Sequence, residues 1–321
     1  MYGPQPPEAP KSYTFTVCTA TFDRAYSLPR VYESLRAQSF TDFEWLVIDD
    51  GSTDETGELI QYWHEKAPFA IRYFWQENAG AGAALNRGID ESRGFLFAIL
   101  DSDDAYVPTA LERLKFHWES IPVDKRHHFV GVTGLVQGPS GEIVGSRFPS
   151  DVIDSDSLTM RVRFGVKGQK TGCQRTDVLR FYKFPVSGGE KNIAPGTLWN
   201  RIALNYKTRF VNEVFRVYYD TPASRSSYRN RLANPRRGYL YYREFMWLDY
   251  DFPLKWRLRA NASYVRFALH SGVGLSKQRS EIRSPVDWIA SLAPGFSAYL
   301  LDRLLRVFQY LRADVRKAVS E

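Results

Sequence analysis

Asp101, Asp103 and Asp104 arrive within four positions, directly after the apolar run Phe95 to Leu100. Spaced i and i+2 on a turn, Asp101 and Asp103 can point at one hard cation such as Mg²⁺ or Mn²⁺. Such ions are held by one or two carboxylates, with waters and substrate phosphates completing the shell. The same residues also suit a solvated acidic turn, so the run alone leaves both readings open. A second acidic pair, Asp49-Asp50, follows the apolar stretch Phe43 to Ile48 and leads into Gly51-Ser52-Thr53-Asp54. Asp50 stands where a strand gives way to a loop, the place at which open α/β sheets bind ligands. It could equally close an Asx-turn or cap the helix that follows.

The elements that must carry these groups are legible from periodicity. Tyr13 to Ala20 alternates β-branched and aromatic residues and predicts a first strand. Leu28 to Ala37 places Leu28, Val31, Tyr32 and Leu35 at helical spacing, with Pro29 near its start, where proline is tolerated. Phe43 to Ile48 predicts a second strand and Thr53 to Glu65 a helix with an acidic first turn. Ile71 to Trp75 is a short third strand, Ala83 to Ser92 a helix, and Phe95 to Leu100 a strand covered on both faces. Strands alternating with helices imply a right-handed, mostly parallel α/β sheet flanked by helices. Gly80-Ala81-Gly82 imitates a dinucleotide fingerprint, but Leu85 occupies the place of its third glycine and the loop follows the third strand rather than the first.

The chain of 321 residues is 44% hydrophobic and 15% aromatic, which excludes a disordered or low-complexity protein. Cys18 and Cys173 read as buried free thiols of a reducing compartment. The sequence offers neither a secretory leader nor an apolar run of membrane-spanning length. Its charge is polarised: residues 1–150 carry 13 Lys+Arg against 21 Asp+Glu, whereas residues 151–321 carry 30 against 15. An acidic front half suits a metal site and a basic back half suits anionic partners. Basic residues interleaved with aromatics fit nucleic acid loosely, but no RNA-binding signature is present, and no nucleic-acid partner is expected. His127-His128 read as surface residues, because adjacent residues rarely share one ion.

Four motifs in order resemble the family 2 glycosyltransferases of GT-A fold, over roughly residues 13–220. Thr19-Ala20-Thr21-Phe22-Asp23-Arg24 resembles the family's opening segment, and Asp49-Asp50-Gly51-Ser52-Thr53-Asp54 resembles its acidic second-strand motif. Asn86-Arg87-Gly88 resembles its helix-borne N-x-G, and Asp101-Ser102-Asp103-Asp104 its D-x-D-D signature. The resemblance implies a metal-dependent, inverting transfer from a nucleotide-diphosphate sugar to a hydroxyl of a lipid-linked or polysaccharide acceptor, in cell-surface glycan synthesis. It implies that Thr19, Ala20, Thr21, Asp50, Asn86, Arg87, Asp101 and Ser102 contact the donor. Asp103 would be the main ligand of Mn²⁺ or Mg²⁺, with Asp101 facing ribose and cation. The family's base would fall on Glu190, in Ser187-Gly188-Gly189-Glu190-Lys191 ahead of a helix predicted over Thr197 to Tyr206. Relatives often carry a second acidic residue where Ala194-Pro195-Gly196 stands. A degenerate GT-A fold that binds a nucleotide sugar without turnover is the alternative.

The domain organisation expected is a flexible tail over 1–12, a catalytic GT-A domain over 13–220 and a basic, aromatic, mainly helical region over 221–321. Gly138 to Gly141 marks a hairpin, and Gly168 to Arg175 reads as a loop beside the acceptor path. Tyr299 to Lys317 sets Leu300, Leu301, Leu304, Leu305, Val307, Phe308, Leu311 and Val315 on one helical face and Arg303, Arg306 and Lys317 on the other. That pattern suits a helix in a membrane interface, or one packing its apolar stripe on the catalytic domain. The expected location is cytoplasmic, peripheral on the cytoplasmic face of a membrane. The preceding segment Trp288 to Phe296 is also apolar and is broken by Pro and Gly.

Overall fold

A computed structural model describes residues 13–186, 196–220 and 234–320, with side chains described as far as residue 305. The chain divides into two compact units, residues 1–224 and 225–321.

The first unit is built on a nine-stranded sheet. Strands β1 (Tyr13–Thr21), β2 (Phe43–Asp49), β3 (Ala70–Trp75) and β4 (Gly94–Ile99) pair in parallel in the order β3-β2-β1-β4. Their side chains alternate between two apolar layers. Val17, Trp45 and Leu96 enter one layer, where the ring of Tyr32 stacks on Trp63 at 4.5 Å; Cys18, Leu46 and Phe97 enter the other. Being covered on both faces explains the unbroken apolar runs. The intervening helices α1 (Leu28–Arg36), α2 (Thr56–His64) and α3 (Ala81–Glu91) fall where helical periodicity puts them. Helix α3 lies close to the sheet at Gly88, where a Cβ would stand 2.4 Å from the Sγ of Cys18.

Register is what builds the site. Thr21 pairs with Asp49, Asp49 with Trp75 and Cys18 with Ile99, so the carboxyl ends of all four parallel strands stand in one row. The row is extended by a mixed half-sheet. It comprises β5 (Ala105–Tyr106), β6 (Phe129–Gln137), β7 (Val152–Ser155), β8 (Lys170–Arg175) and β9 (Lys207–Val217), with β8 antiparallel between β4 and β6 and β9 parallel to β6. Here one expectation is corrected: residues 170–175 are not a loop but a buried strand. Lys-Thr-Gly-Cys-Gln-Arg gives no apolar alternation, yet backbone proximity demands it. A Cβ on Gly172 would lie 1.9 Å from the carbonyl of Val132. The Gly138 to Gly141 turn is present, with Gly138 N–H donating to the Glu142 carbonyl at 2.8 Å. Helices α4 (Ala110–Glu119), α5 (Ser157–Val162), α6 (Thr176–Tyr182) and α7 (Gly196–Ala203) complete the layers.

The second unit is helical: α8 (Pro235–Phe245), α9 (Leu254–His270), α10 (Leu275–Glu281) and α11 (Pro285–Ser320). Tyr239, Tyr264, Phe267 and Trp288 form its core. Polar pins accompany them: Asp302 accepts two hydrogen bonds from Arg266 at 2.6 Å and lies 2.9 Å from His270 Nε2, fastening α11 to α9. Helix α11 runs unbroken through Pro294, a correction to the Pro/Gly break expected within Trp288 to Phe296. Pro294 and Ala290, whose carbonyl the proline leaves without its helical donor, are both on the exposed side. Gly295 instead faces α9, where a Cβ would meet Val265 at 2.7 Å. Among the described residues, no helix is long and apolar enough to cross a membrane.

Candidate active site

The acidic ends of β1 and β2 staple neighbouring loops together. Asp49 accepts from the Ser52 N–H at 2.8 Å and from the Tyr73 hydroxyl at 2.6 Å. Ser52 Oγ accepts from the Asp23 N–H at 2.9 Å, Asp23 accepts from the Thr53 N–H at 2.8 Å, and Asp54 accepts from the Ala25 N–H at 2.9 Å. Asp50 is buried, and its two oxygens accept from Gln76 Nε2 (2.8 Å), Ala79 N–H (2.9 Å) and Gly80 N–H (2.7 Å). Gly51, at φ +94°, turns the chain so that this can happen; a Cβ there would press on Asn78 N at 3.0 Å. Residues of the acidic motif therefore act first as positioning groups. They fix loops 21–26, 49–54 and 76–80 to one another at the carboxyl end of the parallel strands.

The remaining expected donor contacts sort by surroundings. Thr19 is fully buried and its hydroxyl accepts from Trp45 Nε1 at 3.0 Å, so only its backbone adjoins the strand end. Ala20 is half-buried beside it. Thr21 Oγ1 is buried with no hydrogen-bond partner, the condition of a polar group that awaits one. Asn86 is bonded reciprocally to the backbone of Phe184, donating to its carbonyl at 2.8 Å and accepting from its N–H at 2.7 Å. Arg87 donates to the Trp75 carbonyl at 2.8 Å, with its guanidinium over Phe74. Asn86 and Arg87 thus brace α3 rather than present free polar ends. Ser102 is held by its carbonyl, which accepts from Ser27 Oγ at 2.8 Å.

The Asp101 to Asp104 turn sits among arginines. Arg30 Nη1 donates to the Asp103 carbonyl at 2.7 Å while its guanidinium stacks 3.7 Å from the Tyr219 ring. Arg24 Nη1 lies 3.5 Å from the Asp103 carboxylate. Arg216, buried on β9, was not singled out from sequence; it donates to Asp101 Oδ2 at 2.5 Å and to Gln169 Oε1 at 2.9 Å, with Nε 3.3 Å from Asp104 Oδ2. Its signal is faint, a single arginine between Phe215 and Val217 in an otherwise apolar stretch. Asp104 is fully buried and accepts from the Tyr219 N–H at 3.0 Å. Burial pushes its carboxyl up to about 7, further than the Arg216 cation pulls it down.

Among the described residues there is no cluster of three or more His, Cys, Asp or Glu that could hold a metal ion. His127 and His128 are exposed with their rings together. The donor set at the turn is two carboxylates: Asp101, whose side chain is 55% exposed, and Asp103. That set fits a hard divalent cation shared with a phosphate and does not fit a self-sufficient metal cage. Glu190 lies outside the described residues.

A cavity of about 530 Å³ opens on the other side of Asp101, lined by residues of β6, β8, β9, α5 and α7. Asp101 and Arg216 both border it, so the acidic turn stands between loops 21–26, 49–54 and 76–80 and this cavity.

Residues 16–159 match Glycosyl transferase family 2. An uncharacterized glycosyltransferase of Nostoc sp. is 36% identical over 99 residues, 31% of either chain. The uncharacterized glycosyltransferase YibD of Escherichia coli is 35% identical over 130 residues, 33% of this chain and 36% of that one. The chain spans about a third of the length of these curated relatives. Among solved structures, Staphylococcus aureus TarS 1-349 in complex with UDP-GlcNAc superposes with a TM-score of 0.58 at 18% identity, covering 89% of this chain and 81% of that one. Mannosyltransferase PcManGT from Pyrobaculum calidifontis, in complex with GDP-Man and Mn²⁺, gives 0.54 at 16% identity, covering 94% and 91%. Residues 16–159 thus resemble a family 2 glycosyltransferase domain, on a sheet that shares the fold of these two structures.

Proposed function

We propose that this protein is an inverting glycosyltransferase that moves a sugar from a nucleotide-diphosphate donor to an acceptor hydroxyl. The carrying observation is the register that brings the ends of β1 to β4 into one row, with Asp101 and Asp103 between the loops that follow β1 to β3 and a cavity. The donor enters at those loops, where the Thr19 to Thr21 backbone, the Thr21 hydroxyl and the loops held by Asp50 meet its nucleoside. The acceptor enters the cavity. UDP-GlcNAc on TarS and GDP-Man with Mn²⁺ on PcManGT support this class of donor.

Asp103 and Asp101 would hold Mn²⁺ or Mg²⁺ together with the donor pyrophosphate, which neutralises the charge that develops on the departing nucleoside diphosphate. Arg24, beside Asp103, adds a second cation at the same place. Glu190 is proposed as the base that takes the proton from the attacking hydroxyl. The acceptor is lipid-linked or polysaccharide and the protein works peripherally on the cytoplasmic face of a membrane. An uncharged exposed line along α11, comprising Val286, Ile289, Phe296, Leu300, Leu301 and Leu304, supports that location.

Calorimetric titration of UDP, GDP, dTDP and CMP compounds, with Mn²⁺ and then with EDTA, tests the proposal. One nucleotide should bind only with metal and lose binding in Asp103→Ala. Failure of every member to bind folded protein would overturn the activity and leave a scaffold with a degenerate site.

A further inference from the structure

Three cations, Arg161, Lys170 and Arg216, line the acceptor-side cavity against a single carboxylate, Asp101, among the described residues. Arg216 is already engaged with Asp101 and Asp104, and Arg161 donates to Asn200 at 2.9 Å. Lys170 is different. Its ammonium donates to the carbonyls of Lys167 at 2.8 Å and Gln169 at 3.2 Å and lies 5.7 Å from the Phe148 ring centre, with no carboxylate against it among the described residues. Burial among such groups lowers its amine to about 8, the mark of a cation whose charge is poorly compensated. It is also tied to the reacting end of the cavity. The adjacent Gln169 accepts from Arg216, which in turn holds Asp101.

Position decides what this cation is for. The donor side is made by loops after β1, β2 and β3, whereas Lys170 opens β8 on the opposite side of β4. A lysine held half-buried in an apolar-walled cavity, with no carboxylate against it among the described residues, gains most from an anion that arrives with the ligand.

We propose that the acceptor carries an anionic group, a phosphate or a carboxylate, and that Lys170 pairs with it. This rests on the glycosyltransferase reading and narrows its acceptor to charged molecules. A neutral glycan would bring Lys170 no opposite charge.

The test is site-specific acylation of lysines at neutral pH, with the Lys170 peptide quantified by mass spectrometry. sn-Glycerol 1-phosphate and glucuronate serve as anionic probes, methyl glucoside as the neutral one, and exposed lysines as internal controls. At least one anionic probe should slow Lys170 acylation several-fold, the more effective one distinguishing phosphate from carboxylate, and methyl glucoside should not. Tryptophan fluorescence, through Trp199 on the cavity wall, should report that Lys170→Gln weakens the better anion about tenfold or more while Lys170→Arg keeps it. Absence of protection by both anions, or equal protection by methyl glucoside, overturns the proposal. Protection by UDP or GDP with Mn²⁺ as strong as by the small anions also overturns it, because Lys170 would then belong to the donor. If no nucleotide binds yet the anions still protect Lys170, the anionic site stands and the glycosyltransferase reading fails.

Discussion

Arg216 on β9 donates to Asp101 across the end of the sheet at 2.5 Å. The same guanidinium is within 3.3 Å of buried Asp104, so one side chain from the mixed half-sheet sets the posture of the acidic turn that ends the parallel half. Arg216→Met should destabilise the protein by about 3 kcal/mol in urea unfolding, because it strands a buried carboxyl. Asp104→Asn in the same background should recover much of that loss. Additive losses would show that the two residues do not act as a pair.

Asp104 also makes stability depend on pH. Its folded-state value, pushed up to about 7, lies above the ordinary 3.8, so the native state holds the proton more tightly than the unfolded chain. The resulting stabilisation is complete below about pH 4 and is lost as the pH rises through about 7. Thermal unfolding between mildly acid and mildly alkaline pH should therefore show a decline in wild type that is reduced in Asp104→Asn. Identical pH profiles would exclude this origin.

Removing the carboxylate of Asp50 should loosen a loop before it affects any ligand. Asp50→Ala leaves the Gly80 N–H buried without its acceptor and deletes three hydrogen bonds, a cost of about 3 kcal/mol. Hydrogen exchange should accelerate in residues 76–80 even without nucleotide. Protection equal to wild type would contradict the stapling role.

These positioning roles mark the limit of what sequence makes legible. Alternating β-branched and aromatic residues disclosed β1, and apolar runs closed by carboxylates disclosed β2 and β4, because a strand covered on both faces has little freedom of composition. Strand β8 stayed hidden because Cys173 is its one apolar side chain and close backbone packing at Gly172 leaves no apolar pattern to read. The carboxylates of the acidic turn could be named from spacing, whereas Arg216 could not. It follows Asp101 by 115 residues, and only the pairing of β9 beside β6 and β5 brings it there. Likewise the N-x-G of α3 marked a real feature, but its asparagine braces Phe184 and its glycine makes room for Cys18.

Gly88→Ala should cost about 1–3 kcal/mol, since its methyl would press on the Cys18 sulfur. Cys18→Ala should relieve most of the penalty in the double variant. Equal penalties in both backgrounds would place the strain elsewhere on the α3 face.

Glu190→Gln should reduce turnover by about 10²- to 10⁴-fold while leaving nucleotide affinity unchanged. Mn²⁺ titrated alone should give no saturable binding at submillimolar concentration, and should do so once the cognate nucleoside diphosphate is present, since the turn offers only two carboxylates. Full turnover in Glu190→Gln would remove that residue from the proton transfer. Tight binding of the metal alone would require ligands beyond Asp101 and Asp103.

The two cysteines sit on strands either side of β4 and look in opposite directions, Cys18 into the layer beneath α3 and Cys173 into the layer that holds Trp45. Both are fully buried, and burial raises both thiols, Cys173 to about 12. Neither can ionise and react while its layer is closed. The protein thus carries a pair of native clocks: the alkylation rate of each thiol times the opening of one face of the sheet, with no foreign label introduced.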